Sequence, residues 1–182
     1  MEREENRFRE TLSKAYEESD ELRRPMRVER MEWLSRVCNA PPPMMMARPE
    51  SLQLIQEARA TFVDGHFVAA LILAMAFIEH AIVEDLQSRG KVQGSPTFAQ
   101  ALNLANEQRL FPPDWLKRAK RLSYRRNPFA HLKEDGHAHG LGQRVLDTKI
   151  HPRSIMESDA KDAIELMYSF LTATVRGFQM TE

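Results

Sequence analysis

The stretch from about residue 66 to 89 constrains this chain most. Leu71, Ile72, Met75, Ile78, Ile82, Val83 and Leu86 recur at the three- and four-residue spacing of one helix face. At 1.5 Å per residue the helix runs about 35 Å. Its longest apolar run, Phe67 to Ile78, is too short to span a bilayer. The segment therefore belongs in a protein core, and other helices must cover it.

The flanking sequence supplies them. Pro49 suits a first helical position, and Leu52, Ile55, Arg59 and Phe62 continue to an Asp64-Gly65 turn. Gly90 and Gly94 end the long helix. Ser95 is the expected N-cap and Pro96 the first residue of a helix through Phe98, Ala101, Leu102 and Ala105. After the turn Phe111-Pro112-Pro113-Asp114, a further helix carries Trp115, Ala119 and Leu122 on one face. Residues 134 to 156 read as a long irregular segment, and a last helix starts near Ser158 with Ala160, Ile164, Met167, Phe170, Leu171 and Phe178. Strand alternation is present only weakly, around Val145 to Ile150. The expected fold is all-α: an up-and-down bundle of four to five core helices with an N-terminal helical arm.

Three parts follow: an arm over 1–39, a Pro/Met-rich linker over 40–48 and the bundle over 49–182. In the arm, Phe8, Leu12, Ala15 and Leu22 form a thin apolar stripe, Pro25 interrupts the helix, and Met31, Leu34, Val37 and Cys38 form a second stripe. Stripes this narrow suit an arm that packs on a partner or on the main domain, or a loosely docked surface helix. With 42% apolar and 29% charged residues, the composition is that of a soluble chain with long solvated helices. The expected location is cytoplasmic: Cys38 is the single cysteine, which rules out an intramolecular disulfide or a cysteine-rich zinc module. The first residues have no apolar run of the signal-peptide kind, and no membrane partner is expected.

The chemistry concentrates in Arg125-Arg126-Asn127-Pro128-Phe129-Ala130-His131. Arg126 falls four residues after Leu122 and seven after Ala119, on the apolar face of its helix, so it should point inward or into a cleft. Asn127 reads as an N-cap and Pro128 as the first residue of a new turn. An unbroken helix sets residues five apart about 140° from each other; a break at Asn127-Pro128 would let Arg126 and His131 converge. Glu79 lies among Ile72, Met75, Ala76, Ile82 and Val83, and a carboxylate in such a setting needs a partner. Arg126 and His131 are the candidates, and a structural Glu–Arg pair fixing helix register is the alternative. Formal net charge is zero, yet Lys117, Lys120, Arg121, Arg125 and Lys133 cluster here with Asp114 as the one opposing charge in the run. Such a field suits phosphate contacts, and Tyr124 and Phe129 are placed to stack bases; a solvated helix face is the other reading. His131, His137, His139 and His151 are a weak metal set without further ligands, and no cofactor motif is present.

Arg126-Asn127-Pro128-Phe129-Ala130-His131 resembles the R-(polar)-x-x-x-H signature of HEPN domains, the "higher eukaryotes and prokaryotes nucleotide-binding" superfamily. Glu79 on an earlier core helix suits that pattern, and the resemblance spans roughly residues 49 to 178. It implies a metal-independent endoribonuclease, of toxin or host-defence type, acting as a homodimer on RNA, with an antitoxin or other protein as a further partner. It implies that His131 moves the proton of the ribose 2′-hydroxyl or of the leaving oxygen, that Arg126 stabilises phosphoryl charge, that Asn127 orients one of these groups or the phosphate, or merely caps the helix, and that Glu79 holds Arg126. Some members carry a tyrosine two residues after the histidine; Lys133 stands there in this chain. A helical module of the same kind that binds RNA, nucleotide or protein without cutting is the alternative.

Overall fold

The computed structural model describes residues 2–38 and 48–179. The described residues form seven helices and no strand: α1 (Glu2–Val37), α2 (Pro49–Val63), α3 (Phe67–Ser88), α4 (Phe98–Glu107), α5 (Pro113–Ala130), α6 (Leu141–Thr148) and α7 (Pro152–Gln179). The fold is all-α. The linker apart from Arg48, and the side chain of Phe178, lie outside the described residues.

α3 is the axis of the bundle and packs against α2, α4, α5 and α7. Leu71, Met75, Ile78, Ile82 and Leu86 are fully buried, while Ile72 and Val83 sit at the margin of the core. Phe62 of α2, Leu122 of α5, and Ile164, Leu166, Met167 and Phe170 of α7 close around them. Burying each such side chain contributes about 1.5–3 kcal/mol, so this centre dominates stability. By length and composition α3 would cross a bilayer, with mean hydropathy 2.0 over its most apolar window. Half of that window is buried inside the protein, which makes α3 a core helix. The turn from α2 to α3 needs Gly65: its φ is +81°, and a Cβ there would come within 2.7 Å of the Arg153 guanidinium.

Several boundaries differ from the sequence reading. Pro25 does not interrupt α1, which runs unbroken past it. The proline removes one helical hydrogen bond, but Asp20 binds both Arg24 and Arg27, spanning the site, and Arg27 reaches Asp64 at 2.9 Å. The N-cap of α4 is Thr97 rather than Ser95. Its hydroxyl accepts from the Gln100 N–H while the Gln100 side chain takes the Thr97 N–H, a reciprocal cap that Ser95 and Pro96 cannot form. The segment expected to be irregular holds α6 and the first turns of α7, and residues near Val145 are helical. The last part of α1 belongs to the core: Leu34 is buried and Trp33 packs on Phe62 with ring centroids 5.0 Å apart. Met31, expected on that stripe, is exposed.

Candidate functional site

α5 buries Leu116, Ala119, Leu122 and Ser123. Arg126 continues that face at its edge, where α3 presents Glu79. The two meet: Arg126 Nη2 lies 3.9 Å from Glu79 Oε2, with the side chains 22% and 33% exposed. The pair sits at the rim of the core, not inside it. Arg126 Nε is buried and has no hydrogen-bond partner, so the guanidinium keeps a free donor beside its carboxylate.

The expected break at Asn127-Pro128 is absent. α5 continues to Ala130 with Pro128 inside it, and Asn127 accepts the His131 N–H through its carbonyl at 2.8 Å instead of capping a new helix. Phe129 is partly buried against the core, and this packing holds the last turn helical despite the bond lost at the proline. His131 is the extended residue that ends the helix, with φ −140° and ψ 130°. Its imidazole is exposed, and among the described residues it makes no hydrogen bond or ion pair. Arg126 and Glu79 are therefore brought together, Asn127 is half-buried beside them, and His131 stands apart in solvent.

The basic run is neutralised by residues far away in sequence. Asp159 of α7 is 1% exposed; it takes both nitrogens of Arg144 at 2.6 and 2.8 Å and Arg125 at 2.7 Å. Asp162, three residues on, pairs with Arg118 and with Arg121 at 3.1 Å, and Glu165 takes Arg118 at 2.6 Å. Burial is the largest influence on Arg118 and opposes its charge. The Glu165 and Asp162 carboxylates together outweigh it and hold the guanidinium above its usual value. Lys117 is exposed and lies 3.5 Å from Asp114. Lys120 and Lys133 are exposed without such a partner. Of the expected RNA-contacting cations, Arg121 and Arg125 thus already have carboxylate partners, and the three lysines face water. Tyr124 is stacked on His139 with centroids 5.3 Å apart and rings 5° from parallel, and His137 meets His139 edge-on at 5.8 Å.

A groove of about 590 Å³ is lined by Glu79 together with Arg48, His80, Glu84, Gln87 and Ser95, among others. Behind two of these lining residues the buried Ser51 hydroxyl lies 3.2 Å from His80 Nδ1 and donates to Glu84 at 3.3 Å, and Arg48 stands 3.5 Å from Glu84. Ser51 bridges the histidine and the acid, so the acid does not orient the imidazole as a nucleophilic triad requires. The four-residue spacing of His80 and Glu84 was the signal that they share a face, and the serine on another helix was not visible. Among the described residues no three His, Cys, Asp or Glu side chains gather at metal-ligand spacing. No family model, curated protein or solved structure matches this chain.

Proposed function

We propose that this chain is a metal-independent endoribonuclease of HEPN type, working as a homodimer in a toxin or defence role. The observation that carries the reading is the Arg126–Glu79 pair at the rim of the core, 3.9 Å apart with the arginine side chain 22% exposed. A guanidinium set beside a carboxylate and still partly open to solvent can present its terminal nitrogens to a phosphoryl oxygen. His131, five residues on, offers an unengaged imidazole, the side-chain type most often used as a general acid or base. In the reaction one imidazole takes the 2′-hydroxyl proton as O2′ bonds to phosphorus. The O5′–phosphorus bond breaks, and a second imidazole, from the other copy, gives O5′ its proton. The products are a 2′,3′-cyclic phosphate and a 5′-hydroxyl end. Asn127 orients the phosphate, and Lys117, Lys120 and Lys133 hold the strand.

The test is cleavage of single-stranded RNA in excess chelator. Wild type should cut, and His131→Ala should lose cutting with unchanged thermal unfolding. A specific observation favours a second reading: His131 does not meet Arg126, and the arginines of the basic run are engaged by α7. A non-catalytic module would bind RNA or a protein partner and leave RNA intact in the same assay.

A further inference from the structure

Among the described residues, no side chain of α1 from Asn6 to Met26 is buried against another element. From Arg3 to Met26 every described side chain is exposed except Ser19 and Asp20, which are half-exposed. The helix touches the body only beyond that point, through Arg27 at Asp64, Arg30 donating to the Val63 carbonyl at 2.7 Å, Trp33 and Leu34. About 24 residues of isolated helix are marginal in water. This segment nevertheless carries large apolar groups in the open: Phe8 is 65% exposed, Leu12 53%, Leu22 78% and Met26 43%.

Their spacing is regular. Phe8, Leu12, Ala15, Ser19, Leu22 and Met26 alternate steps of four and three, which are the d and a positions of successive heptads. The flanking positions then have a sign. Those following d are Arg9, Tyr16 and Arg23; those preceding a are Thr11, Glu18 and Pro25. In a parallel pair, Glu18 faces Arg23 of the second copy, twice by symmetry, and Thr11 faces Tyr16. In an antiparallel pair the same side chains meet as Arg9 with Arg23 and Glu18 with Glu18, all repulsive. We infer that residues 8–26 of α1 form a parallel two-stranded coiled coil with the same segment of a second copy of this chain. Beyond Met26 the seam side of the helix is taken up by α2, so the two helices part there. Pro25 sits at that point, where its missing N–H leaves the unbroken helix easier to bend as the two copies separate. The inference uses no residue of the proposed ribonuclease site and stands whether or not RNA is cut.

Sedimentation equilibrium of the full chain tests it. The average mass should rise with concentration from 21.1 kDa toward twice that value, and Leu12→Asp/Leu22→Asp should stay monomeric while the body unfolds at the same temperature. In a Cys38→Ser background, Ala15→Cys should form a disulfide-linked dimer with itself on mild oxidation, because a parallel seam sets both copies of position 15 face to face. A chain that stays at 21.1 kDa, a dimer indifferent to the two aspartates, or a cross-link that forms only between Ala15→Cys and Ser19→Cys chains overturns the proposal.

Discussion

Asp159 and Tyr168 show how differently two buried polar residues act. Asp159 is satisfied by Arg125 and Arg144, and removing one partner of a buried pair leaves the other charge uncompensated. Asp159→Ala should therefore lower unfolding free energy by about 3 kcal/mol in urea titration. A loss below 1 kcal/mol, on the order of an exposed pair, would mean that Arg144 escapes to water. The Arg126–Glu79 pair is more exposed and longer, so Arg126→Ala should cost only about 0.5–1 kcal/mol. The Tyr168 hydroxyl is buried and has no hydrogen-bond partner. Burial first, and the neighbouring Cys38 thiol second, push its pKa well above the usual phenol value. A group raised in the folded state contributes stability fully present below its unfolded pKa, near 10, and lost as pH climbs above it. Tyr168→Phe should be neutral or stabilising by up to about 1 kcal/mol at pH 7, and thermal melts should show a shallower decline above about pH 10 than wild type. The pairing of Glu79 with Arg126 was legible in the sequence because an apolar frame isolated one carboxylate on a helix face. Asp159 was not, because its partners lie 15 and 34 residues away and nothing in its own helix marks it as central.

Among the elements, α3 and α2 were legible because periodicity and Gly65 agreed on where each begins and ends. The errors fall where a local signal was overruled from elsewhere. Pro25 and Pro128 both lie within helices, the first bridged by Asp20 and Arg27, the second carried by Phe129 on the core. α6 begins at Gly140 without a side-chain cap and is fixed instead by Arg144 on Asp159, so its start leaves no sequence mark. The placement of Pro25 gives a direct test. It lies in solvent-exposed helix, where proline is about 3 kcal/mol worse than alanine. Pro25→Ala should raise the helical circular dichroism of the projecting part of α1 and leave the main unfolding transition of the body unmoved. An unchanged signal would show that Asp20 and Arg27 already fix the helix on both sides of the proline.

At the scale of the whole molecule, the zero net charge is distributed by design of the fold: α7 presents Asp159, Asp162 and Glu165 to the arginines of α5 and α6. On the proposed ribonuclease reading, this sets how many cations are open to an RNA strand. Counterion release scales with the cations free to meet phosphate, at a log–log salt slope of about −0.7 per contact for single strands. If Lys117, Lys120 and Lys133 make the contacts, binding of a short single-stranded RNA should fall with salt at a slope of about −2. Arg121→Ala should leave that slope nearly unchanged, because Arg121 is held by Asp162 at 3.1 Å. Asp162→Asn should release Arg121, tighten binding and steepen the slope by about 0.7. Fluorescence anisotropy across a salt series measures all three. A wild-type slope near −4 would mean that RNA displaces the α7 carboxylates and recruits the arginines after all. The acidic face of α7 would then act as an internal competitor for the strand rather than as a fixed scaffold.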